Sequence, residues 1–129
     1  MRYGYTIIYV ADVAATLEFY ERAFGLTRRF LHESGQYGEL DTGATTLAFS
    51  RHDLAGGLFP GGYLPLRADG PPPGVELGLV TEDVEAAYER AVAAGATPLK
   101  APAQKPWGQV VGYVRDLNGA LIELCSPMG

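Results

Sequence analysis

The side chains that do chemistry most readily are scarce in this chain. Its 129 residues include one cysteine, Cys125, and two histidines, His32 and His52. A nucleophilic thiol needs a base or a cation beside it to be held as thiolate. No histidine is placed to activate Cys125, so it reads as a core thiol. A transition metal needs nitrogen or sulfur donors converging on one point. His32 falls in one strand pattern and His52 at the end of another, and both read as solvated or hydrogen-bonded surface residues. What remains is carboxylates, phenols and one indole. Their chemistry is hydrogen bonding, proton transfer and attraction of cations, and it depends on which of them the fold brings together.

The elements that position them come as a repeat. Tyr5-Thr-Ile-Ile-Tyr-Val-Ala-Asp12-Val13 recurs as Glu76-Leu-Gly-Leu-Val-Thr-Glu-Asp83-Val84, displaced by 71 residues. In each copy an apolar strand runs into Asp-Val, and a helical pattern follows. Each helix reaches a glycine, Gly25 or Gly95, with Thr27 or Thr97 two residues on. A repeat of this length means two copies of one small unit.

In the first unit, Tyr3 to Val10 reads as a strand and Asp12 as a helix N-cap. Val13, Leu17, Tyr20 and Phe24 form one helical face, with Glu18 and Arg22 paired on the outside. Gly25 suits a left-handed stop. Strand patterns at 27–33, 37–40 and 45–51 are separated by Ser34-Gly35 and Asp41-Thr42-Gly43, which predicts an antiparallel meander. Residues 53–74 form a linker with Gly56-Gly57, Gly61-Gly62 and Pro71-Pro72-Pro73. It also carries Leu54, Leu58, Phe59, Tyr63 and Leu64, which are expected to pack down rather than stand in solvent. The second unit repeats the plan. A strand at 75–80 leads to a helix capped by Asp83 and burying Val84, Ala87, Tyr88, Ala91 and Ala94. An edge strand at 97–103 is bounded by prolines. Strands at 109–115 and 121–125 flank the turn Asp116-Leu117-Asn118-Gly119. The fold class is α+β, with two tandem βαβββ units, 1–52 and 75–129, in a single domain over 1–129.

Bulk composition bounds the function. The net charge is −5, from 10 Lys and Arg against 15 Asp and Glu. No basic cluster offers a nucleic-acid surface, and the acidic surface favours solubility or attraction of a cationic small molecule. No apolar run approaches the roughly 20 residues that span a bilayer. Met1-Arg2-Tyr3 leads into a strand pattern rather than a signal peptide. One cysteine without an intrachain partner fits a reducing cytoplasm.

Paired βαβββ units resemble the vicinal-oxygen-chelate superfamily of glyoxalases, extradiol dioxygenases, fosfomycin-resistance enzymes and bleomycin-resistance proteins. The resemblance covers nearly the whole chain. It is most specific from Pro106-Trp107-Gly108-Gln109 through Arg115-Asp116-Leu117-Asn118-Gly119 to Leu121-Ile122-Glu123-Leu124, and Phe19-Tyr20 through Phe24-Gly25-Leu26 is also similar. Leu117 stands where the family commonly has proline. The resemblance implies that each unit curls its sheet, with a helix on the outer face, into a half-barrel, so that paired units enclose a cavity. It also implies a homodimer and, in the enzymes, a divalent metal held by residues of the first and last strands of each unit.

Carried over by position, that ligand set is incomplete. Tyr5 and Glu76 stand where histidine is usual. Glu123 keeps the carboxylate of the last strand, and its first-unit counterpart is Leu47 or Ala48. A neutral phenol is a poor ligand. No cofactor is therefore expected. If a divalent ion such as Mg²⁺ or Mn²⁺ does bind, Glu76 and Glu123 with waters are the residues to take it. Strand parity puts Ile7 with Tyr5, Gly78 with Glu76, and Gln109 with Tyr113. The resemblance makes Tyr113 a substrate-contacting position. Trp107 either stacks on a ligand or packs. The expected ligand-binding set is Tyr5, Ile7, Glu76, Trp107, Gln109, Tyr113 and Glu123, with Glu76 and Glu123 as the catalytic candidates. Three functions fit: a metal-free binder of a cationic or aromatic molecule, a metal-dependent lyase, isomerase or dioxygenase with an unusual carboxylate site, and a metal-free enzyme using Glu76 or Glu123 as acid or base. If both carboxylates sit in one apolar cavity without metal, one of them should have a raised pKa.

Overall fold

A computed structural model describes residues 1–128. The chain divides into two compact units, Met1–Leu66 and Arg67–Gly129. Each holds a four-stranded mixed sheet, and neither sheet closes into a barrel. In the first unit, strand β1 (Tyr5–Val10) leads to helix α1 (Val13–Phe24) and then to β2 (Thr27–Leu31), β3 (Tyr37–Asp41) and β4 (Thr46–Arg51). The sheet order is β1-β4-β3-β2, with β1 parallel to β4 and the other pairs antiparallel. A one-turn helix, α2 (His52–Ala55), follows β4 directly. The second unit carries β5 (Glu76–Val80), α3 (Val84–Ala93), β6 (Thr97–Gln104), β7 (Val110–Arg115) and β8 (Leu121–Cys125). Its order is β5-β8-β7-β6, with β6 at an edge as its prolines require.

The helix ends follow the residues that mark them. The Asp12 carboxylate accepts from the Ala15 amide at 3.0 Å, and Asp83 does the same for Ala86 at 3.1 Å. Such caps contribute about 1 kcal/mol each. Gly25 closes α1 in the left-handed region at φ 67°. Val13, Leu17 and Tyr20 of α1 are buried against the sheet with Leu40 and Phe49. Full burial of each such side chain contributes about 1.5–3 kcal/mol before the conformational entropy cost is subtracted. The α1 stripe is broader than its spacing suggested: Thr16, Phe19 and Ala23 are also buried, while Phe24 is only half-buried. In α3 only Val84 and Ala91 are buried. Ala87, Tyr88 and Ala94 lie at the margins of that stripe, half-exposed.

Helix α2 was not legible in the linker's composition. Residues 53–66 of that linker belong to the first unit and 67–74 to the second. In the first part, Tyr63 packs edge-on against Tyr9 with ring centroids 4.8 Å apart, stacks on His52 at 5.8 Å, and bonds to His52 Nδ1 at 2.5 Å. Phe59 adjoins Tyr63. Leu54, Leu58 and Leu64 do not pack as expected; Leu64 is 98% exposed.

In the second part, a buried arginine fixes the chain. Arg115 donates to the carbonyls of Arg67 (2.6 Å), Gly70 (2.7 Å), Ala68 (3.4 Å) and Gly119 (3.0 Å). Gly119, at φ 97°, is packed so closely on the Arg67 carbonyl that no Cβ fits. The Asp116 carboxylate accepts from the Asn118 and Ala120 amides at 2.8 Å and shapes the turn between β7 and β8. No helix among the described residues is long and apolar enough to cross a membrane.

Candidate functional site

In each unit the helix covers one sheet face; on the other, the first strand is exposed at Tyr5 and Ile7 or at Glu76, Gly78 and Val80, while Ala48, Val111 and Cys125 are buried. On the second unit, Ile122, Leu124 and Val114 are buried on the α3 side. Their neighbours alternate to the other face. Register there pairs Gly78 with Glu123, Glu123 with Tyr113, and Glu76 with Leu121. Glu76 and Glu123 therefore project from adjacent parallel strands on one face, with Tyr113 on the strand beyond.

The Glu76 carboxyl is held above its ordinary range, its pKa raised from 4.5 to about 7 by hydrogen bonding with the Glu123 carboxyl first, then by burial and by the charge of Glu123. Glu76 stays exposed as a residue even so. Burial, then the charges of Glu76 and Glu123, pushes the Tyr113 phenol up. Burial, then Glu123, does the same to the Cys125 thiol, whose Sγ lies 3.8 Å from the Leu79 carbonyl. The face is thus a proton-retaining patch with a phenol as donor and a thiol held neutral.

Trp107 and Gln109 form a separate group. Trp107 Nε1 donates to Gln109 Oε1 at 2.9 Å, and Gln109 Nε2 donates to the Ser126 carbonyl at 2.8 Å. Gln109 lies about 13 Å along the strand from Tyr113 at the usual rise per residue. With Gly108, Pro127 and Met128 these two residues line a shallow cavity of about 230 Å³. The amide of Gln109 is occupied by these bonds.

On the first unit the face turned away from the helix carries Tyr5, 60% exposed, and Ile7, 45% exposed. Register settles which residue of β4 matches Glu123. Ala48 pairs with Ile7 as Glu123 pairs with Gly78, so Ala48 holds the position and supplies no donor. The same register matches Glu39, opposite Ala48, with Tyr113, opposite Glu123. The two units have exchanged residue types: a phenol on the first strand and a carboxylate on the third in one, the reverse in the other. Glu39 accepts from the Tyr37 hydroxyl at 2.7 Å and from Arg29 at 3.4 Å. Arg29 also reaches Thr46 at 3.0 Å and Asp41 at 3.5 Å. Burial, then the bond to Glu39, raises the Tyr37 pKa. Sequence reasoning missed Glu39 because it compared only first and last strands; extending the repeat to the third strand is the signal that finds it. His32 bonds to Ser34, and His52 to Tyr63, each within its own surface segment.

The sequence profile of the glyoxalase/bleomycin resistance protein/dioxygenase superfamily matches residues 2–124. The chain belongs to that superfamily. Solved structures agree in fold. A glyoxalase-related enzyme from Fulvimarina pelagi superposes with a TM-score of 0.81 at 22% identity, over 98% of this chain and 88% of that one. A glyoxalase/bleomycin resistance protein/dioxygenase from Nocardioides gives 0.73 at 20% identity, over 99% and 84%. TioX from Micromonospora sp. ML1 gives 0.72 at 22% identity, over 98% of each chain. A search of curated proteins finds no match.

Superfamily enzymes often hold a divalent metal, and the donor set here does not fit one. Tyr5 and Ala48 occupy two of the four expected positions. Among the described residues no three of His, Cys, Asp and Glu are grouped so as to hold a metal ion. The remaining pair, Glu76 and Glu123, supplies two carboxyls and no nitrogen donor.

Proposed function

We propose that this chain is a small-molecule binding protein that holds an organic cation at the Glu76–Glu123 pair without a metal. The observation that carries the reading is the strand register that sets the two carboxyls on one sheet face, with Tyr113 on the strand beyond. A positive group beside the two carboxyls would favour the ionised form of Glu76, and the Tyr113 ring offers an aromatic wall suited to a cation. Leu121 and Val80 on the same face suit an apolar body on the ligand. Thermal unfolding with benzylamine, benzamidine and their neutral and acidic analogues tests it. The cations should raise the Tm of the wild type and not of Glu123→Gln. Equal shifts from neutral or acidic analogues, or an unchanged response in Glu123→Gln, would sink the reading.

A second reading is favoured by one observation. A carboxyl with a pKa near 7 is half-ionised at neutral pH, as a general acid or base should be. An enzyme of that kind would turn over a bound substrate with Glu76 moving the proton, and its rate would follow the Glu76 titration.

The reading includes a homodimer in a reducing cytoplasm. The superfamily resemblance and the exposed Tyr5 and Ile7 support the dimer, and the single buried thiol suits the compartment. Sedimentation velocity tests the dimer: a monomer at micromolar concentration would contradict it.

A further inference from the structure

Strand β4 buries two hydroxyl residues on the face turned away from α1, Thr46 at 8% and Ser50 at 7% exposure. Phe49 packs on Tyr20 of the helix with ring centroids 5.0 Å apart, so alternation sends Thr46 and Ser50 the other way. The two differ in what they bond. Thr46 Oγ1 accepts from Arg29 at 3.0 Å. The Ser50 hydroxyl has no hydrogen-bond partner among the described residues. A buried polar group left in that state requires a reason. Arg28 Nε is the one side-chain polar atom, among the described residues, that is both sealed from solvent and unpartnered. Ser50 Oγ is therefore not sealed. It is the polar floor of a narrow opening.

Two tyrosines flank that floor. In register, Tyr9 of β1 stands on one side of Ser50 and Tyr37 of β3 on the other. Tyr37 shares the face, because Gly38 beside it is turned to Leu17 of α1. Each ring is braced by a partner of its own. Tyr63 holds Tyr9 edge-on at 4.8 Å and is itself bonded to His52. Tyr37 lies 6.0 Å from Phe30, and its hydroxyl donates to Glu39 at 2.7 Å. Tyr9 and Tyr37 make no ring contact with each other among the described residues. Their strands lie two spacings apart, about 10 Å. A flat ring touching a wall on either side needs about 7–8 Å. The charges on this face are already matched, since Arg29 reaches both Glu39 and Asp41.

We propose that the first unit carries a binding slot of its own, floored by Ser50 and walled by Tyr9 and Tyr37, for a flat, uncharged aromatic molecule with a hydrogen-bonding group on its edge. The slot is independent of the acid pair on the second unit and stands or falls without it. The molecule enters edge first. Its polar group meets the Ser50 hydroxyl, which can donate or accept. Its faces stack against the two phenol rings. A net charge would gain nothing, because Arg29 and its carboxylates already satisfy one another. A phenol or a ring lactam such as a pyridone has this shape and this edge.

Nuclear magnetic resonance and isothermal titration at pH 7 test this with 2-naphthol and with decahydro-2-naphthol, its saturated counterpart. The proteins are the wild type, Ser50→Ala and Ser50→Val. In the wild type, 2-naphthol should move the backbone amides of residues 9, 37 and 50. The puckered decahydro compound should bind about tenfold or more weakly, having no aromatic face. Ser50→Ala should bind 2-naphthol about three- to tenfold more weakly through the lost hydrogen bond. Ser50→Val should lose binding, since its methyls raise the floor. The Tm of Ser50→Ala should not fall, because the hydroxyl bonds nothing in the fold. Equal affinity for the two compounds overturns the proposal. So does undiminished 2-naphthol binding in Ser50→Ala, which decides the matter alone if Ser50→Val does not fold. A wild type that binds no 2-naphthol, shifts confined to residues 67–128, or a lower Tm in Ser50→Ala overturns it as well.

Discussion

Replacing Glu76 by glutamine should make the protein more stable at alkaline pH and leave it almost unchanged at acid pH. In the native state the Glu76 carboxyl titrates at about 7, because it shares a hydrogen bond with Glu123 and is partly desolvated beside that charge. In the unfolded chain it returns to the ordinary value of 4.5. The native state therefore binds the proton more tightly. The stability this contributes is fully present below the unfolded value and is lost as pH rises through the folded one. A shift from 4.5 to about 7 corresponds to about 3 kcal/mol at full strength. Glu76 is solvent-exposed, so screening cuts this to about 1 kcal/mol. The amide introduced by Glu76→Gln would carry no charge and could still donate to Glu123. Urea unfolding at pH 5 and pH 8 reads the effect. Glu76→Gln should match the wild type at pH 5 and exceed it by about 1 kcal/mol at pH 8, or about 3–5 °C in Tm. A difference between the two proteins that stays constant from pH 5 to pH 8 would refute the raised Glu76 pKa.

Two further outcomes follow from single side chains. Arg115→Met should cost about 2–4 kcal/mol, because it strips the donors from the carbonyls of Arg67, Ala68, Gly70 and Gly119; amide exchange should rise around residues 67–70 and in the turn at 116–119, and unchanged protection there would contradict the clamp. Cys125 should resist a disulfide reagent at pH 8 in the native protein and react at once in urea, because burial and Glu123 hold it as a neutral thiol; fast native labelling would contradict that placement.

The fold was legible because its punctuation is local. Asp12, Asp83 and Gly25 mark helix ends by their own chemistry, and strand β8 runs from Leu121 to Cys125, the bounds its pattern predicted. Helix α2 was hidden because one turn has no periodicity to read. The burial of α3 was overstated because alanines at 87 and 94 fit an apolar stripe whether or not the sheet reaches them. The site was legible only in part. Repeat spacing aligned Tyr5 with Glu76, yet the differing lengths of the two meanders hid which residue matched Glu123, and only register names Ala48. Glu39 escaped for the same reason. Trp107 and Gln109 share strand β7's approach with Tyr113, but distance along the strand, which parity ignores, separates them from the acid pair.

The central claim is that Glu76 and Glu123 take an organic cation rather than a metal ion. Plasma mass spectrometry tests it most directly, on untagged protein purified without chelator, then incubated with Mg²⁺, Mn²⁺, Fe²⁺, Ni²⁺ and Zn²⁺ and desalted. The account predicts no stoichiometric metal in the wild type and no difference in Glu123→Ala. One metal per chain in the wild type, lost in Glu123→Ala, would contradict it.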